Sequence, residues 1–180
     1  ECTSGFRESF GGLHKKFEVE PDICIFGKTL GNGYAVTAII GRDAIMQEAQ
    51  STFISSTFWT ERIGSAAALA ALTVMEREKS WDTITGIGRQ VIDAWIQISA
   101  NHGVPLTITG IPALAVYSFD GEHGLSYSTY LTQEMLKRGY LASTCLYACT
   151  AHDAKALDRY FNDLDSVFEV IAKCQNGHLD

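Results

Sequence analysis

The sequence predicts an α/β fold in two parts, with buried, parallel-type strands and helices first and mostly antiparallel strands covered on one side by helices after them. Three observations lead to this prediction. Two short apolar runs, residues 23–26 and 35–40, flank a glycine-rich stretch. A long alanine-rich segment then has helical spacing, and beyond it turn residues separate strand-like runs from helical ones. Because 46% of the 180 residues are hydrophobic, there is ample material for a buried core.

In the first part, the run at 23–26 follows Pro21-Asp22 and precedes a glycine, a pattern typical of a strand buried on both faces. The run at 35–40 is rich in β-branched residues and predicts a second buried strand. Residues 43–50 predict a short helix and residues 61–78 a long one. For the long helix we expect Thr60 as the N-cap and an apolar stripe formed by Ile63, Ala67, Ala70 and Val74.

In the second part, residues 82–100 predict a helix that ends before Gly103 and whose apolar stripe consists of Ile84, Ile87, Val91, Trp95 and Ile98. Strands are expected at 106–109, 113–119 and 140–144, with a helix at 126–137 between the last two. A final helix is expected to begin with Thr150 as its cap. Its apolar stripe consists of Leu157, Phe161, Leu164, Phe168 and Ile171.

Composition and charge exclude several classes of function. The net charge is −7 and the basic residues are scattered, which argues against a nucleic-acid partner. The longest apolar runs are far shorter than the roughly 18 residues that span a bilayer, so no membrane association is expected. The five cysteines are odd in number and dispersed, as in a protein of the reducing cytoplasm. Cys145, Cys149 and His152 lack a fourth ligand, and no metal site is predicted.

Lys28 is the strongest candidate for chemistry, because it lies where a predicted buried strand meets the glycine-rich turn Gly27-Lys28-Thr29-Leu30-Gly31-Asn32-Gly33. Ligands bind at strand ends in α/β sheets, and glycines allow a ligand to approach the backbone. A lysine amine can form an imine with an aldehyde if it is partly deprotonated. A lone lysine after a strand is nevertheless most often a solvated surface residue. The spacing alone therefore leaves both interpretations open.

Two segments resemble a known family. Residues 21–33, Pro-Asp-Ile-Cys-Ile-Phe-Gly-Lys-Thr-Leu-Gly-Asn-Gly, resemble the cofactor-lysine motif of class III aminotransferases and are most similar to the glutamate-1-semialdehyde aminomutase-like branch. Residues 1–7, Glu-Cys-Thr-Ser-Gly-Phe-Arg, resemble the segment of the same family in which an Asp-Glu pair precedes Thr/Ser-Gly-Phe-Arg. The two segments occur in the order and spacing of the family.

The resemblance implies the C-terminal part of a fold-type I transferase that depends on pyridoxal phosphate. Residues 1–78 would be the end of the large cofactor-binding domain with a connecting helix, and residues 79–180 a small α+β domain. Lys28 would carry the cofactor as a Schiff base. The Asp that bonds the pyridine nitrogen in the family would stand immediately before Glu1, so that role is not given to Glu1. We accordingly expect the chain to begin inside a larger protein.

A third resemblance concerns the loop before the alanine-rich helix. Residues 55–62, Ser-Ser-Thr-Phe-Trp-Thr-Glu-Arg, resemble the family loop whose Thr bonds the cofactor phosphate of the neighbouring subunit. That role maps onto Thr57, with Ser56 as a weaker candidate, and it implies at least a dimer. Taken alone, such a cluster is more often a helix cap. The loop departs from the family at Trp59-Thr60-Glu61-Arg62, and the segment 145–150 is shortened.

The resemblance implies an enzyme that moves an amino group between a small-molecule amino donor and an oxo acceptor. Two alternatives are an intramolecular aminomutase acting on a semialdehyde and a truncated, inactive interaction domain. Gly86-Ile87-Gly88-Arg89 has part of a dinucleotide-binding pattern, but it lies within a predicted helix, so that reading is rejected. His14, next to Lys15 and Lys16, is interpreted as part of a solvated turn.

Overall fold

A computed structural model of the chain describes residues 1–177. The chain forms two compact units, Glu1–Thr83 (unit 1) and Ile84–Asp180 (unit 2). The boundary falls within a long helix that begins at Ser80. Among residues 1–177, no helix is both long enough and apolar enough to cross a lipid bilayer.

Unit 1 is built around a two-stranded antiparallel sheet. Strand β1 (Ile23–Phe26) pairs with β2 (Ala38–Gly41), so that Ile23 lies opposite Gly41 and Phe26 opposite Ala38. The one-turn helix α1 (Lys28–Gly31) lies between the strands. Helix α2 (Asp43–Met46) and the 3-10 turn Gln47–Ser51 follow, then the long helix α3 (Ile63–Glu78). A further 3-10 turn, Leu13–Lys15, precedes β1.

The expectation of buried, parallel-type strands is wrong for unit 1. Parallel neighbours need a crossover of a dozen or more residues that is usually a full helix, whereas the connection through α1 is too short and simply reverses the chain. In β1 only Cys24 and Phe26 are buried, while Ile23 and Ile25 are exposed. The second strand is shorter than expected, and its side chains lie largely at the surface.

Helix α3 buries a different face from the one that the sequence indicated. Ile63, Ala70 and Val74 are exposed, and the buried residues are Gly64, Ala68 and Met75. The reason is the close approach at Gly64, where a Cβ would lie 2.7 Å from the Ala35 carbonyl oxygen.

The expected Thr60 cap of α3 is also wrong. The Glu61 carboxylate accepts hydrogen bonds from the Ile63 and Gly64 backbone N–H groups, at 2.8 and 3.1 Å. A carboxylate can satisfy the free N–H groups of a first helical turn, and its negative charge suits the helix dipole there. Glu61 thus caps the first turn of α3, the role that the sequence analysis assigned to Thr60.

Unit 2 packs three helices on a β-hairpin. Helix α4 (Ser80–His102) leads to β3 (Leu106–Ile111) and β4 (Leu114–Phe119), which pair antiparallel with Leu106 opposite Phe119. Helices α5 (Gly124–Lys137) and α6 (Ala154–Gln175) follow. The main core cluster has the buried members Val91, Trp95, Ile98, Val104, Ala115, Tyr117, Phe119, Leu131, Met135, Leu157, Leu164, Val167, Phe168 and Ile171. A smaller cluster consists of Ile84, Ala113 and Ala148.

Most expectations for unit 2 are confirmed. The stripe of α4 faces the core, and the helix ends before Gly103, whose φ is +64°. The expected strand at 140–144 is wrong, because the chain meets β4 only from Thr144 onward: the Tyr117 N–H donates to the Thr144 carbonyl at 2.9 Å, Cys145 forms an isolated bridge with Val116, and the Leu146 N–H donates to the Ala115 carbonyl at 2.7 Å.

Two further details of unit 2 concern helix α6 and helix α4. Asp153, not Thr150, caps α6 by accepting a hydrogen bond from the Ala156 N–H at 2.8 Å. Gly86 and Gly88 lie within α4, as expected. A Cβ on Gly88 would lie 1.9 Å from the Pro112 carbonyl oxygen, so this glycine lets the helix contact the turn of the hairpin.

Candidate active site

Lys28 lies at the junction between β1 and α1. The strand ends at Phe26, and Lys28 is the first residue of the one-turn helix, with its side chain exposed. Phe26 and Leu30, on either side of it, are buried in one small cluster with Cys24 and Ala68. The backbone at Lys28 is therefore anchored on both sides, while the residue itself is exposed.

The turn after Lys28 needs its small residues. Asn32 ends α1 in the left-handed region with φ of +46°, and Gly33 has φ of +103° with nothing within 4 Å of where a Cβ would lie. Gly31 is buried, and a Cβ there would lie 2.8 Å from Cγ1 of Val36. These conformations favour glycine and asparagine, and they give the turn a backbone that a ligand can approach closely.

Thr29, the neighbour of Lys28, carries a buried hydroxyl without a hydrogen-bond partner in the described structure. Leaving a buried hydroxyl unpaired costs about 1–3 kcal/mol. A ligand with acceptor or donor atoms beside Lys28 would relieve that cost. The residues on this turn thus combine an exposed primary amine, an unpaired hydroxyl and glycine backbone.

Ser56 and Thr57 lie in an exposed irregular loop before α3. The Ser56 hydroxyl accepts a hydrogen bond from the Phe58 N–H at 3.3 Å. Ser56 also lines a groove of about 950 Å³ whose walls include Ile39, Ile54 and Trp59. Neither Thr57 nor Lys28 lines this groove. A single copy of the chain therefore does not gather the three candidate residues in this groove.

The structure brings together three residues that the sequence did not connect. Glu1 accepts hydrogen bonds from the backbone N–H groups of Leu13 and His14, the latter at 2.9 Å, and its Oε1 lies 2.8 Å from His14 Nδ1. The Sγ of Cys24 lies 3.5 Å from the same Nδ1. Interpreting His14 as part of a solvated turn was wrong, because its ring is half-buried in this cluster. Residues 10 to 13 positions apart leave no periodic signal in the sequence.

The electrostatics of this cluster favour a charged carboxylate. Burial by itself would raise the pKa of Glu1, but the hydrogen bonds from the backbone and ring of His14 and from the Leu13 N–H outweigh it. The pKa of Glu1 is therefore lowered from its ordinary value of 4.5. In the same unit, the fully buried Glu8 carboxylate forms an ion pair with Lys16.

Unit 2 holds the other perturbed groups, and they are structural in character. The Trp95 indole N–H donates to the Tyr160 hydroxyl at 3.0 Å, and burial raises the pKa of Tyr160 to about 12. Burial also raises the pKa of Tyr117, whose hydroxyl has no partner in the described structure. Trp95 and Tyr117 pack edge to face with ring centroids 4.7 Å apart. Trp95 and Tyr117 belong to the buried core of unit 2, and Tyr160 packs against it.

The chain is similar in sequence to proteins of known function. Residues 5–149 match the class-III aminotransferase family. The chain is 35% identical to a 3-aminobutyryl-CoA aminotransferase of Cloacimonas acidaminovorans (strain Evry) over 134 residues, which are 74% of this chain and 32% of the relative. It is 24% identical to a glutamate-1-semialdehyde 2,1-aminomutase of Sulfurihydrogenibium sp. (strain YO3AOP1) over 189 residues, covering 96% of this chain and 44% of the relative.

Solved structures give the same picture of the fold. The FumI protein of Sphingopyxis sp. MTA144, in its PLP internal aldimine form, matches 96% of this chain with a TM-score of 0.88 at 21% identity, over 42% of its own length. The ornithine aminotransferase of Toxoplasma gondii matches 98% with a TM-score of 0.82 at 21% identity, over 43% of its length. The chain thus spans less than half of these relatives and has the predicted α/β fold of fold-type I transaminases. It belongs to the class-III aminotransferase family.

Proposed function

We propose that the whole protein transfers an amino group between an amino compound and an oxo compound with pyridoxal phosphate as cofactor, and that Lys28 holds the cofactor. The observation that carries the proposal is the placement of Lys28. It is an exposed primary amine at the end of a strand, on a glycine turn, within the residues that match the class-III aminotransferase family.

The residues around Lys28 fit this cofactor. Pyridoxal phosphate, when bound, supplies an aldehyde carbon that takes up an amine and a ring that accepts electron density from the substrate carbon. Lys28 Nζ would hold the aldehyde end. The unpaired Thr29 hydroxyl and the open backbone at Gly33 leave polar groups and space beside it.

Lys28 would serve twice in the reaction. Its amine would fix the position of the cofactor, and because Phe26 and Leu30 anchor the backbone on both sides of it, that position would be well defined. The same Lys28 amine would also lie beside the reacting carbon of the substrate. There it can accept and return a proton as a general base and acid.

Thr57 is proposed to contact the cofactor phosphate of a neighbouring subunit, with Ser56 in a weaker role. Both hydroxyl residues lie in a loop that exposes the large apolar side chains Phe53, Phe58 and Trp59. Aromatic side chains of this kind are enriched at protein interfaces. A homodimer would cover them and bring Thr57 to a site other than that of its own chain.

Three further assignments belong to the same proposal. Residues 1–78 would form part of the large cofactor-binding domain, and residues 79–180 the small domain. The protein would work in the cytoplasm, in keeping with its five free thiols. The 180-residue chain by itself would bind the cofactor weakly or not at all, since relatives contribute residues over more than twice its length.

An aminomutase is the second candidate, favoured by the relative with that activity whose match covers 96% of this chain. An aminomutase moves the amino group within one molecule and needs no separate acceptor. Product analysis with and without an added oxo acid separates the two activities. Turnover that requires the acceptor supports the transaminase, whereas turnover in its absence supports the mutase.

The test of the proposal is Lys28→Ala in the full-length protein. We expect the visible absorbance of the lysine-bound cofactor to disappear and the rate to fall by about 10²–10⁴-fold or more, since the proton-transferring amine is lost. Borohydride reduction of the wild type, followed by peptide mass spectrometry, should find the cofactor on Lys28. Thr57→Ala should weaken cofactor binding by about tenfold, as the loss of one hydrogen bond does.

Lys155→Ala is the matched control, because Lys155 is an exposed lysine in the first turn of α6. It should leave absorbance and rate unchanged. Lysine-bound cofactor that persists in Lys28→Ala, or a labelled peptide without Lys28, would overturn the assignment.

A further inference from the structure

Glu1, His14 and Cys24 form a cluster of three different metal-ligating side chains. One donor atom from each residue lies within 4.8 Å of the other two. They come from three separate places in the chain: the first turn, the 3-10 turn Leu13–Lys15, and strand β1. We propose that these three residues bind a divalent cation of the zinc class, with one coordination position left for water. The inference does not depend on the proposed enzymatic activity.

The donor types suit zinc. Carboxylate oxygen, imidazole nitrogen and thiolate sulfur are its three common protein ligands. Around a tetrahedral zinc ion, ligand nitrogen and sulfur are about 3.6 Å apart, and nitrogen and oxygen about 3.3 Å. The observed distances are 3.5 Å from Cys24 Sγ to His14 Nδ1 and 2.8 Å from that nitrogen to Glu1 Oε1. Of these two distances only the second must widen, by about 0.5 Å, as a metal ion replaces the hydrogen bond. The Cys24 sulfur and a Glu1 oxygen lie within 4.8 Å of each other.

The surrounding backbone already holds the donor atoms in place. Glu1 is fixed by the Leu13 and His14 N–H groups, which leave further lone pairs on its oxygens. The His14 ring packs directly on Gly12, where a Cβ would lie 2.0 Å from Nδ1. Cys24 is 7% exposed and is held in β1 opposite Ile40. Little side-chain freedom would be lost when the ion binds.

Charge balance also suits a divalent ion. The Glu1 carboxylate and a Cys24 thiolate together neutralise two positive charges in a half-buried position. Binding requires the thiol proton to leave for solvent, and the His14 ring to carry its proton on Nε2 so that Nδ1 offers a lone pair.

Access for the ion and for a water ligand is available on one side. His14 and Cys24 line a cavity of about 650 Å³ that opens to solvent. Its charged lining residues are of both signs: Lys15 and Arg42 are basic, and Glu18 and Glu20 are acidic. Arg42 pairs with Glu20 and Asp22 at 3.8 and 3.4 Å, so its charge is partly compensated.

The experiment is a titration of the full-length protein with Co²⁺, which replaces zinc and reports thiolate ligation by its absorbance. We expect one Co²⁺ per chain, with tetrahedral d–d bands to the red of the cofactor and with a sulfur-to-metal charge-transfer band. Zn²⁺ should displace the Co²⁺ and abolish both signals. Cys24→Ser should remove the charge-transfer band and weaken binding at least about tenfold, since even outer-shell changes cost that much.

Two further variants test whether Co²⁺ binds at this cluster: one changes a cysteine outside it, and the other changes a second proposed ligand. Cys2→Ser alters an exposed cysteine of the same segment outside the cluster and should leave the titration unchanged. His14→Gln should weaken binding about as much as Cys24→Ser, and circular dichroism checks that both variants are folded. The proposal is overturned if the wild type binds no Co²⁺, if no sulfur band develops, or if folded Cys24→Ser keeps the band. None of these results bears on the role of Lys28.

Discussion

Units 1 and 2 have cores of very different size. In unit 2, α4, the hairpin, α5 and α6 enclose one large cluster in which Trp95, Tyr117 and Phe168 are almost completely buried. In unit 1, the cluster beneath Lys28 has only four buried members. Most of the large apolar side chains that remain exposed, among them Ile39, Ile40, Phe53 and Trp59, belong to unit 1.

The difference in core size indicates where each unit obtains its stability. Each fully buried large apolar side chain contributes about 1.5–3 kcal/mol, and the core must outweigh the entropy of ordering the chain. Unit 2 satisfies this condition with its own elements. Unit 1 carries the candidate active-site residues but exposes many large apolar side chains, as surfaces that contact other parts of a protein do.

The largest effect should come from separating the two units. We expect residues 80–180, which include the whole of α4, to fold alone and to unfold cooperatively on heating. Residues 1–79 alone should show no cooperative transition and should bind a hydrophobic dye, because their apolar surface lacks a cover. Calorimetry and dye fluorescence on the two purified fragments measure this.

If both fragments unfolded with equal cooperativity, the proposed difference in stability between units 1 and 2 would be wrong. If the fragment 80–180 did not fold, the claim that unit 2 is stabilised by its own core would be wrong. Adding the remainder of the full-length protein in trans should suppress dye binding by residues 1–79 if the exposed surface is an interaction site.

A smaller effect is expected from tight glycine contacts. Gly88→Ala should lower the free energy of unfolding by about 1–3 kcal/mol, because the new Cβ overlaps the Pro112 carbonyl and overpacking costs that much. Gly86→Ala, in the same helix with nothing within 4 Å, should raise it by up to about 1 kcal/mol through helix propensity. Chemical denaturation measures both variants.

Gly64 in unit 1 makes a close backbone contact like that of Gly88 in unit 2, so the two substitutions compare how rigidly the units are packed. Gly64→Ala places its Cβ 2.7 Å from the Ala35 carbonyl, but Ala35 is exposed and its segment can shift. Its cost should therefore be smaller than that of Gly88→Ala. If the order were reversed, unit 1 would be the more rigidly packed of the two.

The sequence predicted unit 2 better than unit 1, for a physical reason. The stripe Val91, Trp95, Ile98 repeats at helical spacing because α4 has one continuous buried face. In α3 the buried face is set by a backbone approach at Gly64, and apolar residues such as Ile63 and Val74 lie outside it. Periodicity in the sequence detects a helix and its largest apolar face. It does not detect that a glycine such as Gly64 allows a different face to pack closely against another segment.

The candidate site was predictable where it is contiguous in the chain. Lys28 and its glycine turn lie within one short motif, and that motif could be found by resemblance. Strand direction was not predictable from apolar composition, since it depends on how the short connection through α1 turns. The Glu1, His14 and Cys24 cluster depends on contacts between distant segments, which no local pattern records.

A final substitution tests whether that cluster stabilises unit 1. Glu1→Gln in the full-length protein should lower the free energy of unfolding at pH 7 by about 1–2 kcal/mol, because charge-assisted hydrogen bonds to Leu13 and His14 are weakened. The pKa of Glu1 is lowered in the folded state, so its stabilisation is complete above 4.5 and is lost as the pH falls through the folded-state pKa. The difference between wild type and variant should therefore close in acid, while Glu18→Gln, at an exposed position, should show little difference at either pH. A gap that stays constant from neutral to acidic pH would mean that the Glu1 charge contributes nothing to the fold of unit 1.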